Sequence, residues 1–170
     1  MSRAKAHVEE EMNMKTVFAV GLVVLGLVAA GLGGAAAFAA PQHASSSAVV
    51  TTRKVNGLGV VLVNAKGRTL YTFAKDQRRH VTCTGACATY WPPLKWKGAG
   101  KPTGSGAVKS KLLGADMSPA GGEVVTYDKW PLYTYLGDGA AGQANGQDVN
   151  LNGGKWYVIT PAGTLIKHKA

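Results

Sequence analysis

The residues of this chain best suited to chemistry are two cysteines and a nearby histidine. Cys83 and Cys87 are the only cysteines, and His80 precedes the first of them by three positions. In an oxidising compartment such cysteines usually pair, since one helical turn brings their Cα atoms to about 6 Å, within disulfide range. Thiolate and imidazole are also ligands that copper accepts. The sequence therefore predicts a structural disulfide and no cofactor, with a copper-like metal or redox site of His80, Cys83 and Cys87 as the alternative.

Two aspartates occupy equivalent places in a repeated segment. Leu70 to Asp76 reads LYTFAKD, and Leu132 to Asp138 reads LYTYLGD. Paired carboxylates are the acid and base of glycosidases, so catalysis by Asp76 and Asp138 is one hypothesis. An aspartate that ends a strand also commonly accepts N–H groups of the turn that follows, and this role would recur in each repeat. We favour the structural role and assign no catalytic residue.

The repeated segment indicates one structural unit used twice. Each copy has a tyrosine, a second aromatic residue and an aspartate, followed by a tryptophan. The motif residues are Tyr71, Phe73, Asp76 and Trp91 in the first copy and Tyr133, Tyr135, Asp138 and Trp156 in the second. Burial at roughly 1.5–3 kcal/mol per ring would supply much of the core. We expect these rings to be packing residues, with each tryptophan closing its own half and the tyrosine hydroxyls bonded to the aspartates.

These segments resemble a known family of bacterial proteins. Both copies fit the pattern Y-x-[FWY]-x-x-D, and two further stretches, CTGACATYWPPL from Cys83 and GQANGQDVNLNGGKWYV from Gly142, are similar to other blocks of the family. The family is the secreted repeat of unknown function, whose members are often described as predicted lipoproteins. The resemblance spans residues 57 to 161 and implies an exported two-repeat domain with no established activity. Lipid attachment is not expected, since no cysteine precedes Cys83.

The elements that must position these residues are strands. Residues 57–74 hold two β-rich runs around Asn64–Gly67, and residues 123–136 hold two more around Tyr127–Pro131. No stretch after residue 40 has a sustained helical period. We predict an all-β fold in which two pseudo-symmetric β-hairpin repeats form one small sandwich or barrel-like domain, preceded by an N-terminal apolar helix.

The chain divides into three predicted regions. Residues 1–40 are a signal peptide or N-terminal membrane anchor, because residues 16–40 are uncharged and Ala37-Phe38-Ala39 offers a cleavage site. Residues 41–56 are small and polar and form a flexible tether with an edge strand near Val49. Residues 57–170 are the two-repeat domain, with repeat one at 57–97 and repeat two at 123–167. We expect the protein in the periplasm or outside the cell, released or anchored through residues 16–40.

The predicted exported part is strongly basic. Residues 1–40 carry equal numbers of acids and bases, so the formal net charge of +10 belongs to the rest of the chain. Such a surface attracts polyanions, which outside the cytoplasm are anionic lipids or cell-wall polymers rather than nucleic acid. We expect an exported envelope protein of unknown function, a non-enzymatic binding or structural module with a basic surface. The oligomeric state is not predicted.

Overall fold

A computed structural model describes residues 49–169. The predicted apolar segment and residues 41–48 of the predicted tether lie outside this part of the chain. Within residues 49–169, none of the helices combines the length and the apolar character that crossing a membrane requires.

The regular elements of the described chain are mostly strands, with little helix. Its strands are β1 (Val50–Val55), β2 (Gly59–Asn64), β3 (Tyr71–Phe73), β4 (Lys95–Trp96), β5 (Leu113–Met117), β6 (Glu123–Tyr127), β7 (Trp130–Pro131), β8 (Asn150–Leu151) and β9 (Gly154–Val158). Helix α1 covers Ala86–Tyr90, and a 3-10 turn covers Ser110–Leu112. The strands form three sheets, which are β1-β2, β3-β9-β8, and β4-β6-β5 with β7 also paired to β6. The barrel-like form is wrong for residues 49–169, because barrel closure needs one continuous ladder and these sheets are separate.

Strand β1 lies in the region predicted as a tether. It pairs antiparallel with β2 along its whole length, from Val50 opposite Asn64 to Val55 opposite Gly59. Both of its terminal valines are buried. Apolar residues at the two ends of this short run therefore place residues 50–55 within the folded domain.

The two predicted hairpins are realised differently. In the second, β6 and β7 pair across a turn in which Asp128 and Lys129 have φ values of 46° and 70°, as a type I′ turn requires. In the first, Gly67 supplies the positive φ angle of the turn, but only Val63 and Thr69 form a bridge across it. Strand β2 is instead paired with β1, and β3 is paired with β9.

The segments that carry Trp91 and Trp156 each pair with a strand or segment of the other repeat. Strand β3 of the first repeat pairs with β9, so that Phe73 lies opposite Trp156 of the second repeat. Tyr133 of the second repeat forms a bridge with Pro93, two residues after Trp91 of the first. Each tryptophan therefore does not close its own half alone, as expected, but also packs against the other repeat.

An approximate two-fold relation explains this crossing. Tyr71 and Tyr133, which are equivalent residues, lie opposite each other and exchange both backbone hydrogen bonds, at 2.8 and 2.9 Å. An antiparallel bridge between equivalent residues places a two-fold axis between them. The chain that follows each strand then crosses to the hairpin on the other side of that axis.

The buried residues form two hydrophobic clusters on opposite faces of the central strands. Val61 and Val63 of β2 belong to the cluster that contains both repeat tryptophans, whereas Leu62 belongs to the other. Successive strand residues point to opposite faces, so this alternation requires β2 to be covered on both sides.

Candidate functional site

Four aromatic rings form a column at the centre of the domain. Trp91 and Trp156 stack in parallel with ring centroids 3.8 Å apart. Phe73 stacks on the outer face of Trp156 at 4.2 Å, and Tyr135 stacks on the outer face of Trp91 at 4.1 Å. The rings alternate between the first and the second repeat along the column. Each repeat therefore supplies half of one continuous stack.

The motif tyrosines meet this column edge-on. Tyr71 lies 5.4 Å from Trp91 and Tyr133 lies 5.2 Å from Trp156, both in T-shaped geometry. Edge-to-face packing places the positive edge of one ring against the negative face of the other. Both tyrosines are completely buried. Their hydroxyl groups therefore need hydrogen-bond partners within the core.

Each tyrosine finds its partner in the opposite repeat. The hydroxyl of Tyr71 donates to Oδ2 of Asp138 at 2.7 Å, and the hydroxyl of Tyr133 donates to Oδ2 of Asp76 at 2.5 Å. The sequence predicts tyrosine–aspartate bonds but does not indicate which aspartate each tyrosine contacts. The structure pairs them reciprocally, so the two repeats are connected by two buried hydrogen bonds.

The second oxygen of each aspartate organises the loop that follows it. Oδ1 of Asp76 accepts the backbone N–H of Thr82 at 2.7 Å and its hydroxyl at 2.6 Å. Oδ1 of Asp138 accepts the backbone N–H of Asn145 at 2.8 Å. The aspartates thus hold the loops that lead to the two tryptophans, as the turn-capping hypothesis expects.

Burial raises the pKa of all four groups in the two tyrosine–aspartate pairs. Desolvation raises the pKa of Asp76 and of Asp138, and the hydrogen bonds from Thr82, Tyr133, Tyr71 and Asn145 offset part of that effect. Burial, followed by the charge of the facing aspartate, raises the pKa of Tyr71 and of Tyr133 far above the ordinary value of a tyrosine. The tyrosines therefore remain protonated donors at neutral pH.

The geometry gives the two aspartates no access to a substrate. Their side chains are 0% and 1% exposed, and both oxygens of each accept hydrogen bonds from the protein. Neither lines any of the three surface clefts that we identify in residues 49–169. This arrangement supports a role in packing and orientation.

The tyrosine–aspartate pairing across repeats predicts a specific energetic coupling. Tyr71→Phe leaves Oδ2 of Asp138 buried without its donor, so the free energy of unfolding should fall by about 1.5–3 kcal/mol. A double-mutant cycle should combine Tyr71→Phe with Asp138→Asn, with stability measured by urea denaturation at pH 7. The coupling energy between the two substitutions should be about 0.5–3 kcal/mol. Tyr127→Phe, which removes a buried hydroxyl bonded to the carbonyl of Pro161, is the matched single control.

The cycle that pairs Tyr71→Phe with Asp76→Asn, its partner within the same repeat, is the control for the crossed assignment. It should give a much smaller coupling, because these two side chains share no hydrogen bond. A larger coupling within the repeat than between repeats would contradict the crossed pairing.

One asymmetry distinguishes the two tryptophans. Nε1 of Trp156 donates to the carbonyl of Leu151 at 3.1 Å, whereas Nε1 of Trp91 is buried and has no hydrogen-bond partner in the described part of the chain. The first loop, from Asp76 to Trp91, is three residues shorter than the second, from Asp138 to Trp156. Helix α1 lies in this first loop and ends immediately before Trp91.

Cys83 and Cys87 form a disulfide beside this core, with their Cα atoms 5.2 Å apart. Cys83 is buried against the aromatic column, and Cys87 lies in α1 at the edge of the same cluster. His80 is exposed, and no group of three potential metal-ligating side chains is present among residues 49–169. The disulfide uses both sulphur atoms, so binding of copper by His80, Cys83 and Cys87 stays a prediction for the reduced protein.

Reduction of this disulfide should have a modest effect on stability. Closing so short a loop restricts few conformations of the unfolded chain, so the loss in unfolding free energy should be about 2 kcal/mol. Urea denaturation with and without reductant measures it. The variant Cys83→Ser with Cys87→Ser should match the reduced protein and should not respond to reductant. Complete unfolding on reduction would contradict this local role.

Several residues that organise the site carry no recognisable signal in the sequence. Asn145 contributes a backbone N–H group, which any residue other than proline could supply, and Thr82 contributes a backbone N–H group and a hydroxyl. Gln147 is buried, and its amide donates to Ile166 and His168 carbonyls while accepting the N–H of Val158. A buried glutamine is visible only once its neighbours are known. The burial of the motif rings, by contrast, follows from their repetition.

Comparison with known proteins gives one match. A family model described as a secreted repeat of unknown function matches residues 52–95 and again residues 114–160, which together make up more than half of the chain. A search of curated proteins and a search of solved structures each found no match.

Proposed function

This chain belongs to the family of secreted repeats of unknown function, and from that premise we propose that it is a non-enzymatic module of the cell envelope that binds anionic lipid or cell-wall polymer through a basic surface. Its place is the periplasm or the cell exterior. Residues 16–40 either direct export or remain as an anchor.

The distribution of charge is the observation that supports this proposal most directly. Residues 49–169 contain sixteen lysines and arginines and six aspartates and glutamates. The two motif aspartates are buried and bonded to tyrosines, and two more form ion pairs, Asp128 with Arg78 and Asp148 with Lys155. Most of the acidic side chains are thus withdrawn from solvent or neutralised, while most of the bases are not. The surface is more basic than the composition alone implies.

The rigidity of the core supports a binding role in which the domain presents its surface without rearranging. The aromatic column and the two crossed hydrogen bonds hold the repeats in one arrangement, and the disulfide holds the loop before Trp91. A preorganised surface loses less conformational entropy on binding.

Retention on anionic surfaces tests the proposal. The chain without residues 1–40, which excludes any contribution from the apolar segment, should bind isolated cell wall or vesicles of phosphatidylcholine with phosphatidylglycerol at low ionic strength. Salt should release it, because interactions between exposed charges are screened beyond a Debye length of about 10 Å at 0.1 M. Vesicles of phosphatidylcholine alone are the control. Failure to bind either anionic material at low salt would contradict the proposal.

A further inference from the structure

Arg53 is held against the protein surface by two glycines. A Cβ atom placed on Gly67 would lie 3.1 Å from Nη2 of Arg53, and one placed on Gly142 would lie 3.3 Å from its Cδ. The two glycines are themselves connected, since the N–H of Gly142 donates to the carbonyl of Gly67 at 3.1 Å. Both have positive φ angles, of 75° and 81°. The Arg53 side chain therefore packs closely against the backbone at Gly67 and Gly142, and a side chain at either glycine would crowd it.

Two surface clefts share this arginine in their lining. One has a volume of about 410 Å³ and is lined by Arg53, Lys54, Asn56 and Asn145 among others. The other has a volume of about 360 Å³ and includes Arg53 and Lys66 in its wall. No acidic side chain lines either of these two clefts. A third cleft, elsewhere on the described surface, has acidic side chains among its lysines and an arginine, including Asp116 and Glu123.

The chemistry of the paired clefts matches a phosphate-bearing ligand. A guanidinium group presents its N–H donors in a planar fork that fits phosphate oxygens, and lysine adds a compact charge. Arg53 is shared by both clefts, and each contains one further lysine. Two basic clefts that meet at one arginine accommodate successive anions along a chain better than a single small anion.

Resting on the proposed function above, we propose that Arg53, Lys54 and Lys66 form a binding site for a linear phosphodiester polymer. The polymer backbone crosses β1 at Arg53, with neighbouring phosphates in the two clefts. The amide side chains of Asn56 and Asn145 border the first cleft, where they can bond to the polar groups between phosphates.

A bilayer fits this site less well than a polymer. Surface-bound membrane proteins insert apolar side chains beside their basic residues. Among the large apolar side chains exposed in residues 49–169, Val60 is the one opposite Lys54 in the β1–β2 ladder. A concave basic site with one exposed large apolar side chain in the adjoining ladder is suited to a flexible chain.

Titration of the exported protein with poly(glycerol phosphate) at low salt tests the site. Arg53→Gln with Lys54→Gln should raise the Kd by about tenfold or more, since charge-assisted hydrogen bonds are the strong ones. Lys97→Gln with Lys167→Gln removes the same charge from exposed positions outside both clefts and should change the Kd by less than about twofold, as expected for exposed charges that make no direct contact. All four residues are exposed, and circular dichroism should show both variants folded.

The arms of the experiment separate the possible failures. Equal weakening in both double variants would overturn the Arg53 site while leaving general binding of anions intact. Complete competition by inorganic phosphate at the same phosphate concentration would overturn the polymer assignment, and tighter binding to phosphatidylglycerol vesicles than to the polymer would overturn the choice of partner. Absence of all binding by the unaltered protein would instead contradict the proposed function itself.

Discussion

Separated from each other, the two repeats should not fold, and mixing them should restore the domain. A fragment of residues 49–100 retains β1, β2, β3 and β4, and a fragment of residues 101–169 retains β5 to β9. The ladder partner of β3 is β9, and that of β4 is β6, so β3 and β4 of the first fragment lose their partners, and β6 and β9 of the second each lose one neighbouring strand. Each fragment also supplies only alternate rings of the aromatic column. We therefore expect a complete loss of cooperative unfolding for either fragment alone.

Tryptophan fluorescence and amide NMR spectra provide the measurement. The single fragments should show exposed tryptophans and collapsed chemical-shift dispersion, and an equimolar mixture should recover the spectrum of the continuous domain. The uncut chain of residues 49–169 is the control for both. A fragment that unfolds cooperatively by itself would show that its repeat is an independent unit, contrary to the crossed pairing.

Replacement of either column tryptophan by alanine should be among the most destabilising single changes in this protein. Trp91 and Trp156 are both 0% exposed and stack on each other, so removal of one ring opens a large cavity at the centre of the core. We expect a loss of about 3–5 kcal/mol in unfolding free energy from either Trp91→Ala or Trp156→Ala. Trp96→Ala, at a half-buried tryptophan outside the column, is the matched control and should cost less.

Phenylalanine substitutions test the asymmetry between the same two tryptophans. Trp156→Phe removes a hydrogen bond to the carbonyl of Leu151, whereas Trp91→Phe removes a buried donor that has no partner among the described residues. Trp91→Phe should therefore be less destabilising, by about 1 kcal/mol. Chemical denaturation of the two variants measures the difference, and an equal or reversed order would contradict it.

The local features of the fold were accessible from the sequence. The turn at Asp128 and Lys129, the burial of Tyr71 and Phe73, and the disulfide between Cys83 and Cys87 all depend on residues close together in the chain. Strand β1 was only partly anticipated, because residues 50–55 contain threonine, arginine and lysine, which also suit a tether. Its place in the domain depends on pairing with β2.

The candidate binding site could not be anticipated in the same way. Arg53 becomes distinctive only because the turns at Gly67 and Gly142 meet beside it. These three residues are far apart in the chain, and nothing in the sequence around any one of them indicates the other two. A basic residue in a polar stretch is an ordinary surface feature until the fold surrounds it.

By itself the sequence determined that the aromatic motif residues are packing residues and that the unit is used twice, because a repeated pattern of aromatic, apolar and turn residues acts on its own neighbourhood. The tertiary structure decided the partners. Tyr71 bonds to Asp138 rather than to Asp76, and Phe73 stacks on Trp156 rather than on Trp91. Two repeats that carry the same motif offer equivalent partners within and between themselves, and the choice follows from the antiparallel bridge between Tyr71 and Tyr133, a long-range contact that no local pattern specifies.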